Sequence, residues 1–357
     1  MTPTRGAARR RTLWTVAAVA LAAAGITGFL ARGAAADPVL PPLTPAELLA
    51  KVAAADVAGM SATFEQRSDL GLPSLPTASL PNGDDVASAI AMLTGNHTVR
   101  VWASAPDKGK VALVDGSTET AAIRNGSDVW LWSSEKQQAR HATLAPGEHP
   151  TPSTTPVSPA DAITRFLDAI EPTTDVTTSV TGYVAGRAVY QLVLTPKDDA
   201  SLVGQVRVFV DAQEFVPLGA RVIADDGSDA ISVAATSVDF ARPSPDVFAF
   251  SPPPGVDVTE VTKGSAPVGS ARPTGDESGK PTIHGTGWTA VAVSPASTGK
   301  PDKAMTTLLE SLPEVSGSWG HGRLLSTTLV TAVITDDGRV AVGAVAPERV
   351  YAALAER

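Results

Sequence analysis

The sequence predicts a mainly β protein of the α+β class, and three observations predict it. From His97 onward, apolar-rich segments of roughly 4–8 residues recur between turn dipeptides such as Asp115-Gly116 and Asn125-Gly126, the punctuation of antiparallel strands. Clear helix start signals occur at two places, Thr44-Pro45 and Ser158-Pro159. The chain of 357 residues holds 30 Gly and 29 Pro, which suits many turns, while a hydrophobic content of 43% is ample for a core.

Taken in order, residues 1–36 read as a targeting segment. Arg5, Arg9, Arg10 and Arg11 form a basic n-region, an apolar run follows from Leu13 to Ala31, and Ala34-Ala35-Ala36 offers a small-residue cleavage motif. The run is long for a signal peptide and just reaches the roughly 20 residues of a spanning helix, so a cleaved signal and a retained membrane anchor at 13–31 both stay open. On either reading the basic flank leaves the N-terminus in the cytoplasm and places the body outside. The first helix starts with Thr44 as N-cap, Pro45 at its first position and Glu47 completing a capping box. Leu48, Leu49, Val52 and Val57 are its inward stripe, and Gly59 is expected to stop it. Residues 60–67 read as a strand, the Pro-interrupted stretch after them as an edge or loop, and Asp84–Thr94 as a short helix.

The strands HTVRVWAS, GKVALVDG, STETAAIRNG and DVWLWSS follow. The last is apolar on both pleat faces, at Val129, Trp130, Leu131 and Trp132, which demands an apolar neighbour on each side. After a Pro/Thr/Ser loop at 146–159, the second helix carries Ile163, Phe166, Leu167 and Ile170 on one stripe. Strands then resume through residue 241, and the block closes on Phe248-Ala249-Phe250-Ser251-Pro252-Pro253-Pro254-Gly255-Val256. The boundaries are accordingly 1–36 for the targeting segment, 37–262 for the main β domain, 263–282 for a linker without periodicity, and 283–357 for a C-terminal α+β extension. That extension is expected to hold strands near Trp288–Val293, Leu324–Ile334 and Arg339–Val345 with a helix near Lys303–Leu312, and it either stands apart or continues the main sheet.

The net charge is −9, and the first 36 residues contain five arginines and no acid, so the exported body is more acidic still. With no basic stripe to release counterions, nucleic acid is excluded as a partner. The absence of cysteine excludes disulfides, thiolate metal sites and lipidation at a cysteine. His97, His141, His149, His284 and His321 are scattered without metal-ligand spacing, so no metal and no cofactor is expected. Ser133–Lys136 and Ser297–Lys300 match S-x-x-K only formally, since neither opens a helix. Gly317–Gly322 lacks the lysine of a phosphate loop, and Asp198-Asp199 and Asp225-Asp226-Gly227 are turn acids. No catalytic residue is expected, and the protein reads as a non-enzyme.

A capped helix, then ATFEQR at 62–67, a strand ending in an aromatic before Ser104-Ala105-Pro106, ALVDG, NG-x-x-VWLW at 125–132 and FAFSPPPGVDV at 248–258, in that order behind an export segment, resembles the LolA-like lipoprotein-carrier family. The family takes in LolA itself, LppX-type lipid carriers and RseB-type sensors. The resemblance spans roughly 44–262, and in composition and its C-terminal extension the chain is most similar to actinobacterial members. It implies an incomplete antiparallel β-barrel whose helices act as a lid over an apolar cavity for acyl chains. At the position before the proline of the early hairpin, an arginine in LolA, this chain has Ala105.

Val111, Leu113, Trp130, Trp132, Ile163, Phe166 and Ile170 are the expected lining of one such cleft, with Val129 and Leu131 the alternative if the tryptophans face away. The implied role is a carrier or binder of lipid or lipoprotein acyl chains at the outer face of the cytoplasmic membrane. The alternative is a membrane-anchored sensor or scaffold of RseB type that binds a partner membrane protein, with a hydrolase only a formal third.

Overall fold

The computed structural model describes residues 38–71, 95–144, 159–261, 281–296 and 309–356. The targeting segment, the expected helix at 84–94, all but the last two residues of the 263–282 linker and most of the helix expected near 303–312 lie outside these residues; Thr282, placed in the linker by the sequence reading, instead opens a strand.

Helix α1, Pro45–Ala54, begins where its cap chemistry dictates. Thr44 Oγ1 accepts the Glu47 N–H at 3.3 Å, and the Glu47 carboxylate accepts the Thr44 N–H at 2.8 Å, so both halves of the capping box are made. The helix ends at Ala54, earlier than Gly59, which instead opens strand β1, Gly59–Ser68. Thr44→Ala removes one acceptor and should lower stability by about 1 kcal/mol, read as a lower denaturant midpoint with unchanged slope.

The main sheet continues with β2 (Gly95–Ser104), β3 (Lys108–Asp115), β4 (Thr118–Asn125), β5 (Asp128–Ser133) and β6 (Gln138–Thr143). Helix α2 (Pro159–Ile170) intervenes before β7 (Thr174–Val184), β8 (Arg187–Pro196), β9 (Val203–Asp211), β10 (Pro217–Ala224) and β11 (Asp229–Asp239). Strand β12, Asp257–Glu260, completes a 12-stranded sheet in the order β12-β6-β5-β4-β3-β2-β1-β11-β10-β9-β8-β7. Neighbours pair antiparallel except β12, which lies parallel to β6 because the chain must cross the sheet to reach that edge.

The sheet curls. Strands β7 and β11 come within 8 Å Cα to Cα although three strands separate them, whereas a flat sheet would hold them ~19 Å apart. It does not close, since β12 and β7 remain as edges. The result is an open half-barrel.

Helix α1 covers one face of strands β7–β9. Its Leu48 is fully buried against Tyr190, Leu192 and Val210, while Tyr190 donates its hydroxyl to the Pro41 carbonyl at 2.9 Å. Helix α2 packs against α1. At the end of β9, Asp211 is 1% exposed at its side chain and holds Arg187 of β8 through a two-point hydrogen-bonded ion pair. It also accepts the backbone N–H groups of Gln213 and Glu214 at 2.9 and 2.7 Å. Burial pushes the Asp211 carboxyl up, and the hydrogen bonds from Arg187, Glu214 and Gln213 outweigh that and hold it below the usual carboxylate range.

A second sheet of six strands forms separately from the first, in the order β13-β14-β18-β17-β16-β15. These are β13 (Thr282–His284), β14 (Val291–Ser294), β15 (Glu314–Gly317), β16 (Gly320–Ser326), β17 (Thr331–Thr335) and β18 (Val340–Gly343). The single strand expected over 324–334 is thus split by a turn between β16 and β17. Helix α3, Pro347–Ala355, packs Val350, Ala353 and Leu354 onto Val291, Val333 and Ala341. This final helix carries Pro at its first turn but no side-chain cap, which left it without a sequence signal. The two sheets touch. Trp288 Nε1 donates to Thr174 Oγ1 at 2.8 Å, Leu329 shares a core with Val203, Ala224 and Ala230, and the Leu202 N–H reaches the Ala344 carbonyl at 2.8 Å.

Candidate functional site

Cross-strand partners share a pleat face, so the register sorts the expected cleft residues without ambiguity. Val111 pairs with Val101 on one side and Ala122 on the other, and Ala122 pairs with Leu131. Leu113 pairs with Val99, which pairs with Phe64. From Phe64 the same face runs through Ala235 and Val233 to Ala220, Val208 and Leu192, the surface on which α1 lies. Val111 and Leu113 therefore belong to the helix face, together with Val129 and Leu131.

Trp130 and Trp132 do not. They pair with Ile123 and Ala121, which pair in turn with Lys110 and Ala112, and Lys110 pairs with Trp102. All of these occupy the opposite face, so the expected cleft uniting Val111, Leu113 and the two tryptophans is corrected by the structure. The reason is arithmetic in the turns. Asp115↔Thr118 and Asn125↔Asp128 close two-residue loops, with Gly116 and Gly126 at positive φ, and each such loop switches odd positions to even across the hairpin. Position 111 must then meet 131, never 130 or 132. Asn125 itself closes the turn, and Gly126-Ser127 are its centre.

The opposite face is already occupied. After β11 the chain runs back across it as a strap over residues 240–260. A Cβ on Gly59 would stand 2.6 Å from the Arg242 Cα, so glycine lets the strap lie directly on the start of β1. The 3₁₀ turn Pro245–Phe248 rests on β3 and β4, with Phe248 buried. Phe250 then sits against both tryptophans, at 5.3 Å from Trp130 and 5.8 Å from Trp132 between ring centroids. The FAFSPPPGVDV and VWLW segments are thus two halves of one packing arrangement. A cleft of about 190 Å³ remains on this side beside Trp102, lined by Ser61, Thr63, Ser237 and Asp239.

The helix face of β2–β5 is more open. Val99, Val101, Val111 and Leu113 are half-buried and Leu131 is 38% exposed. On α2, Ile163 and Ile170 are half-buried, and Phe166 at 47% exposure faces outward rather than into the packing with α1. The structure thus brings Val111 and Leu113 onto one apolar surface, leaves Phe166 exposed, and removes Trp130 and Trp132 to the other side. Val99 and Val101, which sequence reading passed over, extend the surface; alternation in TVRVW was the signal that could have found them.

The residues weighed for chemistry fall into structural roles. Ser133 Oγ accepts the Lys136 N–H at 3.3 Å within the β5–β6 turn. Gly317 and Gly320 close the β15–β16 hairpin, and Asp226 caps the β10–β11 turn through the Ser228 N–H at 2.8 Å. His284 pairs with Glu356 at 2.7 Å. Ser297–Lys300 and His149 lie outside the described residues. Among the described residues no cluster of three or more His, Asp or Glu side chains is placed to hold a metal, and no helix is long and apolar enough to cross a membrane.

No protein-family model matches the sequence, and no curated protein sequence matches it. Solved structures similar in fold include the Pseudomonas aeruginosa MucA/MucB complex, at 14% identity over 87% of this chain and 96% of that one, with a TM-score of 0.44. A LolA superfamily protein from Nitrosomonas europaea is similar at 12% identity over 58% of this chain and 98% of its own, with a TM-score of 0.22. A putative outer membrane lipoprotein-sorting protein domain from Vibrio parahaemolyticus is similar at 9% identity over 87% and 98%, with a TM-score of 0.20. An open, curled sheet with a helix pair on one face and a strap across the other agrees with the incomplete barrel and lid helices that the resemblance over residues 44–262 implies.

Proposed function

We propose that the protein is an extracytoplasmic, non-catalytic binder of acyl chains, carried by lipids or lipoproteins, and that the chain lies on the helix face of β2–β5. One observation carries this reading: Val99, Val101, Val111, Leu113 and Leu131 form a continuous apolar surface in register, half-buried or exposed. A surface of this kind binds by area alone, since each buried CH₂ contributes ~0.8 kcal/mol. These five side chains are uncharged, which suits a hydrocarbon, and Arg140, paired with Leu131, and Arg124, paired with Val129, border them on the same face. The Leu13–Ala31 segment would place it at the outer face of the cytoplasmic membrane, anchored or released.

A second reading, a scaffold that binds a partner membrane protein, draws on a different feature. On the second sheet the face away from α3 carries Ile283 at 58% and Val342 at 38% exposure, aligned through Ala292. Native mass spectrometry and lipid extraction of the purified 37–357 body separate the two. Co-purifying lipid in stoichiometric amount is the expected result. A lipid-free protein that also fails to take up a fluorescent fatty acid would discard the first reading in favour of the second.

A further inference from the structure

His141 on β6 is the one imidazole whose two ring nitrogens both meet carboxylates among the described contacts. Its Nε2 lies 3.1 Å from Asp128 Oδ1 on β5, and its Nδ1 lies 3.0 Å from Glu260 on β12. The ring stacks on Trp130 with centroids 4.2 Å apart and planes 22° from parallel. A neutral imidazole has a single N–H, so one of its nitrogens would turn a lone pair toward a carboxylate. The imidazolium donates to both and also gains the attraction of a cation for the indole face.

We propose that His141 is a proton-operated latch that fixes the β12 end of the strap to the main sheet. The position of Glu260 makes it one. Strand β12 has only four residues, all exposed, and pairs with β6 in parallel, the weaker arrangement per residue. Glu260 sits directly in register with His141, and the Val261 N–H closes the ladder on the His141 carbonyl at 2.7 Å. Upstream, Phe250 packs on the same Trp130 that stacks on the imidazole. Downstream, the chain leaves for the second sheet, which begins at Thr282. Releasing β12 therefore uncovers the edge of β6 and the outer side of His141. Anchoring the rest of the strap at Phe248 and Arg242 keeps the release local to β12.

The charged groups around the ring are few. Asp128 faces it from β5 and Glu260 from β12, and the strap presents the uncharged Phe250. On its own strand Arg140 pairs with Leu131 and so belongs to the helix face. Lys110, on the same face in β3, is taken by Glu119 at 3.3 Å. Burial lowers the His141 pKa, and the hydrogen bonds to Asp128 and Glu260 overcome it, so the net displacement is upward from the ordinary 6.5. A raised imidazole pKa contributes stability that is fully present below 6.5 and is lost as pH rises through the folded value. The latch is closed in mild acid and open in base.

Hydrogen exchange of the full exported body, converted to protection factors across the His141 titration, tests this, with the ring's own NMR resonances marking the titration. Protection of the 257–261 amides should fall as His141 loses its proton, by about tenfold for each unit by which docking raises the pKa. Glu260→Gln, on a side chain 66% exposed and so without folding risk, should abolish the pH dependence, and His141→Gln should do the same. Protection of 257–261 that stays constant through the titration overturns the latch. So does a Glu260→Gln protein that keeps the wild-type fall. The outcome is independent of lipid uptake, which the opposite face is proposed to carry.

Discussion

Leu113→Asp should abolish uptake of a fluorescent fatty acid by the 37–357 body, with an affinity loss of more than about tenfold, or ~1.4 kcal/mol. Leu113 sits mid-sheet between Val99 and Thr120, on the surface proposed to hold the acyl chain. A carboxylate there must either stay in water, denying the chain that stretch of wall, or be buried unpaired beneath it at high cost. Because Leu113 is half-buried rather than packed in the core, the protein should still fold, which circular dichroism checks. Two controls give the result direction. Asp226→Asn, in the exposed β10–β11 turn, should bind as wild type. Trp132→Phe, on the strap-covered face, should also leave uptake intact. A folded Leu113→Asp protein that binds normally would remove the helix face from consideration, and loss of uptake in Trp132→Phe alone would move the site beneath the strap.

Asp211→Ala should cost about 3–5 kcal/mol of stability, the range for removing one partner of a buried ion pair. The carboxylate is 1% exposed and serves Arg187 and two backbone N–H groups. Its loss strands the guanidinium against Phe240, where it stacks at 4.8 Å, and leaves the β9–β10 turn without its acceptor. Asp211→Asn, which keeps an acceptor oxygen but no charge, should fall between. Since the folded pKa lies below the ordinary 3.8, the contribution is present above that value and is lost as pH falls through the folded one. Wild-type stability should therefore drop in acid along a limb that the Ala variant lacks. Denaturant unfolding at several pH values measures both. A variant within about 0.5 kcal/mol of wild type would mean the pair is a surface contact in effect.

Local chemistry made much of the fold legible. The capping box at Thr44 and Glu47 works within four residues, so nothing distant could override it. Two-residue turns at Gly116 and Gly126 set the hairpin register, and the parity they impose already separated Val111 from Trp130 for anyone who counted across them. The alternation of TFEQ and TVRV marked a half-buried sheet. The apolar run at 129–132 announced a packed neighbour that the structure supplies on the tryptophan face as Phe250, whereas Leu131 on the other face is 38% exposed.

Sequence by itself thus determined the cap of the first helix and the run of hairpins from β2 to β6, and through their two-residue turns the pleat faces of β3–β5. Only the tertiary structure decided which face the helices cover and which the strap covers. It alone brought Phe250 onto Trp130 and set Glu260 beside His141, 119 positions away in the chain. The physical reason is range. Caps and turns are fixed by hydrogen bonds among residues a few positions apart, whereas coverage of a sheet face is a contest among all apolar segments long enough to reach it. In that contest Phe248 and Phe250 took the aromatic face, which left the Val111–Leu113 surface half-open.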